Sequence, residues 1–272
     1  MKQTQILDCT LRDGGYYTLW DFESDLVTSY YEAMENLPID YVEIGYRSPA
    51  LSGYYGEFFY CPEATMQKAK ELMPSKKLAI LLDAKNISVE HLDEILTPCK
   101  PYISLVRIAV APSKFSIAVA LAKAIKPMGF EIAFNVMYMS EWLKNPNFIS
   151  QLQVIEDLVD FFYMVDSYGG VTPGEIPKLI EEIQSKVSLP LAFHGHNNLE
   201  LGLINTITAI DNNCKMVDAT ITGMGRGAGN LKTELLLSYL SAKSKIDINF
   251  NQLSSIVEKF ENLRKSYAWG TS

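Results

Sequence analysis

A chain of 272 residues with 48% hydrophobic and 21% charged residues has enough apolar material for one large core and lies far from the composition of disordered proteins. Its formal net charge of −8 disfavours nucleic acid and anionic membranes as partners, because both need clustered Lys and Arg, so an anionic substrate has to be met by local cations. The opening MKQTQILDCT lacks the apolar stretch of a signal peptide, and no run of about 18 apolar residues is present to span a bilayer, which predicts a cytoplasmic protein.

Along the chain, short apolar or β-branched runs alternate with longer stretches of helical periodicity, the pattern of parallel strands joined by crossover helices. The first strand is expected over Gln5–Leu11, followed by a helix over Ser24–Glu35. Strands over Tyr41–Tyr46, Leu78–Asp83 and Ile103–Ala109 lead into helices over Pro62–Leu72, Ser88–Leu96 and Ser113–Ile125. Strands over Glu131–Met137, Phe161–Asp166, Leu191–His194 and Met216–Thr222 lead into helices over Phe148–Leu158, Pro173–Lys186, Leu199–Asp211 and Leu231–Lys243. Ser113, Thr172 before Pro173, and Asn198 stand where N-caps belong. One more amphipathic helix is expected over Asn251–Arg264.

Eight strand–helix units in succession predict an α/β fold, a (β/α)8 TIM barrel over residues 1–245, with a helical extension over 246–272. A doubly wound open sheet is the competing architecture, since periodicity alone does not show closure. Cys9, Cys61, Cys99 and Cys214 form no CxxC pair, so reduced, buried thiols are expected in place of a zinc ribbon or a disulfide framework.

In such folds function collects at the carboxyl ends of the strands. There the sequence places Arg12-Asp13-Gly14-Gly15, Asp83, Arg107, Asp166-Ser167, His194-Gly195-His196 and the loop Gly223–Asn230. Residues two apart on a strand share a face, so His194 and His196, two of only three histidines, are able to aim at one ion. Barrel closure brings the first, seventh and eighth strands together, which makes Asp13 the preferred carboxylate ligand, ahead of Asp8 and Glu43. Mixed His and carboxylate ligation suits Mn²⁺, Mg²⁺ or Zn²⁺ without choosing among them. Arg12 then reads either as a second electrophile facing an enolate or carboxylate oxygen, or as an ion pair with Asp166, Asp83 or Glu43. The loop Gly223–Asn230 fails the dinucleotide GxGxxG spacing and instead suggests backbone that approaches a ligand, with Asn230 in reach of the metal. The aromatic residues around Tyr16–Trp20 and Tyr54–Tyr60 read as packing, a lid or a homodimer contact.

The segments LDCTLRDGG, VDSYGGVTP, FHGHNNLELGLINTITAI and DATITGMGRGAGN resemble, in order and across the whole barrel, the HMG-CoA-lyase-like (DRE-TIM metallolyase) superfamily, and within it the 4-hydroxy-2-oxovalerate aldolases. The resemblance implies a divalent-metal-dependent carbon–carbon lyase, with Mn²⁺ the first choice of metal, working through a pyruvate enolate and an aldehyde. It implies that Asp13, His194 and His196 hold the metal with Asn230 as a further contact, that Arg12 stabilises the enolate, and that Ser167 holds the carboxylate of the 2-oxo acid; Arg107, from its place on the fourth strand, is expected to bind substrate as well. A Claisen-type acyl transferase or acyl-CoA lyase of the same superfamily, and a non-catalytic 2-oxo-acid-binding homologue, are the alternatives.

Two departures stand out. The aldolases carry a histidine for proton transfer three residues after the aspartate of the RDG motif, where this chain has Tyr16, so either Tyr16 or a hydroxide supplied by the metal takes that proton. The aldolases also continue into a helical region that contacts an acetaldehyde dehydrogenase, whereas this sequence stops at Ser272, which implies a truncated chain or an absent partner.

Overall fold

The structure, a computed structural model, describes residues 4–243 and 246–270. Eight parallel strands pair in chain order and the eighth returns to the first, so the sheet closes into a barrel and the open-sheet alternative falls away. The strands are β1 (Gln5–Asp8), β2 (Tyr41–Tyr46), β3 (Lys77–Asp83), β4 (Ile103–Val110), β5 (Glu131–Val136), β6 (Phe161–Asp166), β7 (Leu191–Gly195) and β8 (Met216–Ala219). The helices are α1 (Thr10–Thr18), α2 (Ser24–Asn36), α3 (Glu57–Tyr60), α4 (Glu63–Leu72), α5 (Leu92–Leu96), α6 (Phe115–Ile125), α7 (Pro146–Ile149), α8 (Ile176–Gln184), α9 (Gly202–Asp211), α10 (Thr233–Ala242) and α11 (Phe250–Tyr267). Among the described residues no helix is long and apolar enough to cross a membrane.

The inside of the barrel is organised by the two-residue period of its strands. Leu7, Tyr41, Ala79, Leu105, Ala133, Tyr163, Ala192 and Met216, one from each strand, form an apolar plug. Two residues further along come Glu43, Arg107, Asn135, His194 and Asp218, all buried, so the layer above the plug is polar. The large outer core lies between strands and helices, where the apolar stripe of α8 (Ile176, Leu179, Ile180, Ile183) is typical.

Three expectations are corrected. The first strand does not reach Leu11: it ends at Asp8, whose Oδ1 accepts the Thr10 N–H at 2.9 Å and the Thr10 hydroxyl at 2.5 Å, which turns the chain straight into α1. No helix runs over Phe148–Leu158. Its buried Phe148, Ile149, Leu152 and Ile155 do have helical spacing, but Asn145 Oδ1 takes the Phe148 N–H at 3.2 Å and the segment folds as short turns. None of the three proposed N-caps serves as one. Ser113 lies within a 3₁₀ turn, the Thr172 hydroxyl donates to Glu175 ahead of a helix that starts at Ile176, and Asn197, not Asn198, receives the Gly202 N–H at 3.1 Å.

The helix expected over Asn251–Arg264 is longer, Phe250–Tyr267, and is capped by Asn249, whose side chain accepts the Gln252 N–H at 3.1 Å. It packs on α2. The expected domain limit at 245 and the last two residues of the expected extension lie outside the described residues.

Candidate metal centre and active site

Helix α1 lies across the barrel mouth and carries Arg12 and Asp13 in its first turns. Glycine lets the chain after the helix fold back onto it: a Cβ on Gly15 would collide with the Trp20 indole, whose Nε1 donates to Arg12 O at 2.8 Å. Arg12 is 6% exposed. Its Nε donates to Glu43 Oε2 at 2.6 Å and its Nη1 to Asp13 Oδ1 at 2.7 Å, so the Glu43 ion pair is present and the other nitrogen, Nη2, is left toward the cavity. Burial works against ionisation of Asp13, but Arg12, the two histidines and the Asn230 amide outweigh it and hold the carboxyl below the usual range.

His194 on β7 and His196 just beyond it face the same way, with ring centroids 4.9 Å apart. His194 Nδ1 is 2.8 Å from Asp218 Oδ2, and His196 Nδ1 is 2.8 Å from the Asp166 carbonyl oxygen. Both neighbours are acceptors, which puts the ring hydrogen on Nδ1 and leaves each Nε2 lone pair for the cavity. Burial, with His194 adding to it, pushes the His196 pKa down to about 4, the neutral form a ligand needs. His194 Nε2 lies 3.6 Å from Asp13 Oδ2.

Asp13, His194 and His196 place one donor atom each within 4.8 Å of one another. Asn230 Nδ2 donates to Asp13 Oδ2 at 2.6 Å, while its Oδ1 is buried with no hydrogen-bond partner among the described residues. Gly225 is what admits that amide, since a Cβ there would strike it. An orphaned oxygen beside a carboxylate and two anchored imidazoles fits a hard or borderline divalent cation. A second group, Cys9, His194 and Asp218, shares His194 but meets its Nδ1 side; burial, then the Asp218 charge, push the Cys9 thiol up, so no thiolate is offered there.

Arg12, Asp13, His194 and His196 open into a cavity of about 450 Å³ that also takes in Tyr16, Tyr46, Tyr138, Ser167, Tyr168 and Arg226. The Ser167 hydroxyl accepts the Tyr138 N–H at 2.9 Å, leaving its own hydrogen for a ligand. The Tyr16 and Tyr46 hydroxyls are 2.9 Å apart. Trp20 meets Tyr16 and Phe59 edge-on at 4.7 and 4.8 Å, so packing is the main role of this aromatic group.

Arg107 departs from its expected contact with substrate. It is fully buried, does not line the cavity, and spends its guanidinium on Glu43 (3.1 Å), Asn135 (3.1 Å) and Asp218 with its face on the Tyr163 ring. It thereby braces the two carboxylates that hold Arg12 and His194. Asp8 also lies outside the metal group: it is the buried acceptor for Thr10, Tyr30 and Thr233. The supporting acid Asp218 went unnoticed in the sequence, although a carboxylate inside the apolar run MVDAT was a usable signal; Tyr138 and Arg226 lie on loops and gave none.

The model of the HMGL-like family matches residues 3–259. A 4-hydroxy-2-oxovalerate aldolase of Carboxydothermus hydrogenoformans is 29% identical over 88% of this chain and 71% of its own length. An oxaloacetate decarboxylase of Mycobacterium tuberculosis is 25% identical over 90% of this chain and 72% of its own. The crystal structure of the N-terminal domain of a candidate aldolase from Bacteroides vulgatus superposes with a TM-score of 0.96 at 50% identity, covering 98% of this chain and 89% of that one. With a family model that matches nearly the whole barrel, the chain belongs to the HMGL-like family and is an enzyme of the lyase type.

Proposed function

We propose that this protein is a divalent-metal-dependent aldolase that forms or cleaves a 4-hydroxy-2-oxo acid through the enolate of pyruvate, with Mn²⁺ as the first choice of metal. The observation that carries the reading is the convergence of Asp13, His194 and His196 beside the Arg12 guanidinium in one cavity. Asp13, His194, His196 and Asn230 Oδ1 would hold the ion, which when bound supplies Lewis-acid polarisation of the 2-oxo acid. Arg12 donates to the oxygen on which enolate charge develops, and its two carboxylate partners keep the fork from swinging away. Ser167 donates to the substrate carboxylate. Tyr16 orients the aldehyde from the cavity wall with its hydroxyl fixed by Tyr46. Four free, buried thiols support a cytoplasmic setting.

The same enolate arises when oxaloacetate loses CO₂. Tyr16 in place of a histidine is what supports this second reading, because decarboxylation has no hydroxyl proton to remove. Incubation with pyruvate and Mn²⁺ in D₂O tests the enolate common to both: deuterium should enter the pyruvate methyl group only with metal present. Retro-aldol cleavage of 4-hydroxy-2-oxovalerate, compared with CO₂ release from oxaloacetate, then separates the two. No exchange in the presence of metal would sink both.

A further inference from the structure

Two cations reach the cavity, Arg12 and Arg226. Arg12 has two of its three nitrogens committed to Glu43 and Asp13. Arg226 is exposed, and among the described residues it has neither a hydrogen bond nor an ion pair; its guanidinium lies 4.4 Å from the centre of the Tyr16 ring. That stacking turns a long side chain into a positioned one. Its loop is tied down as well, since Gly227 has φ of 60° and its carbonyl oxygen accepts the Gly270 N–H at 3.2 Å, while Gly229 O accepts the Asn197 N–H at 2.8 Å. Lys85 stands near enough to Arg226 and Tyr16 to feel both, with Asp83 at 3.0 Å balancing its charge, so the rim beside Tyr16 carries one uncompensated positive charge.

In a chain of net charge −8 an uncompensated, oriented guanidinium at a cavity mouth is a place for an anion. Under the aldolase reading, on which this step rests, the carboxylate of the 2-oxo acid already has Ser167 and the metal group. The anion left to recognise is on the other reactant. We propose that Arg226 is the anion-recognition residue for the aldehyde partner, and that this aldehyde carries a carboxylate or phosphate group. The planar fork suits either oxyanion bidentately. In the cleavage direction the C3–C4 bond breaks and its electron pair stays on C3 as the enolate; the C4 hydroxyl gives its proton to water or hydroxide as it becomes the carbonyl of the anionic aldehyde, and C3 takes one proton back from water to give pyruvate. No oxidant or reductant is required.

The test compares three substrates that differ only at the far end: 4-hydroxy-2-oxovalerate, ending in methyl; 4-hydroxy-2-oxoglutarate, ending in carboxylate; and the 5-phosphate ester of 4,5-dihydroxy-2-oxovalerate. Wild type with Mn²⁺ should cleave at least one anionic substrate with kcat/KM about tenfold or more above the methyl compound, the size of one charge-assisted contact. Arg226→Met should remove most of that ratio and Arg226→Lys should restore part of it. The carboxylate and phosphate arms identify which oxyanion is used. A wild type that favours the methyl compound, or a ratio unchanged in Arg226→Met, overturns the proposal and leaves Arg226 a solvated rim charge. Pyruvate deuteration run alongside reports the reaction itself. If it fails in wild type, calorimetric titration of 4-hydroxy-2-oxoglutarate into wild type and Arg226→Met with Mn²⁺ decides: weaker binding to the variant sustains the anion subsite, and equal affinities reject it.

Discussion

Arg12 serves three partners through one planar group: Glu43 through Nε, Asp13 through Nη1, and the cavity through the remaining nitrogen. A lysine in its place has one ammonium and cannot hold two carboxylates in a fixed plane while donating to a third oxygen. Arg12→Lys is therefore expected to keep the metal group, because Asp13 still has Asn230, and to lower kcat on the order of 10²–10³, the loss typical of one oxyanion donor. Steady-state kinetics together with metal content check this, and near-normal turnover would reduce Arg12 to a structural ion pair. At this scale the sequence was most legible where periodicity acts: His194 and His196 share a face because strand side chains alternate, and a histidine pair on so apolar a run stood out. Arg107 obeys the same alternation, but a strand position does not tell how deep in the barrel a residue sits, so an expected ligand contact turned out to be a brace between Glu43 and Asp218.

At the scale of elements, the loop Gly223–Asn230 holds Asn230 against Asp13 and Arg226 over Tyr16, yet it contains little that packs. The chain after α11 supplies the support. Trp269 is 1% exposed, its Nε1 donates to Thr222 O at 3.3 Å, and its own carbonyl accepts Arg264 Nε at 2.8 Å. Trp269→Ala should destabilise the fold by about 3–5 kcal/mol, the range for emptying a buried aromatic site. Denaturant unfolding measures it, and a change within about 0.5 kcal/mol, as at ordinary surface positions, would show that the tail does not brace the loop. Strands β2 and β6 were readable to the residue, whereas β1 was read too long. The run QILDCTL looks like a continuous strand; what ends it is a hydrogen bond from Thr10 to Asp8, a local competition that apolar pattern does not register. The segment 148–158 failed for the opposite reason, since its helical spacing was real but its backbone bonds went into short turns.

For the whole molecule, closure of the barrel is what assembles the site. Asp13 follows β1, while His194, Asp218 and Asn230 come from β7, β8 and the loop beyond, and only the pairing of β1 with β8 brings them together. Eight alternating units made that closure the favoured expectation, and the cross-barrel convergence of Asp13 with the histidines followed from it. Charge and composition spoke only to classes of partner. The most direct test of the account is the divalent metal content of wild type, Asp13→Ala and His194→Ala, each equilibrated with Mn²⁺, gel-filtered and checked for native circular dichroism. Stoichiometric metal in wild type and its loss from both folded variants is the expected result; metal content undiminished in both variants would contradict the proposed centre.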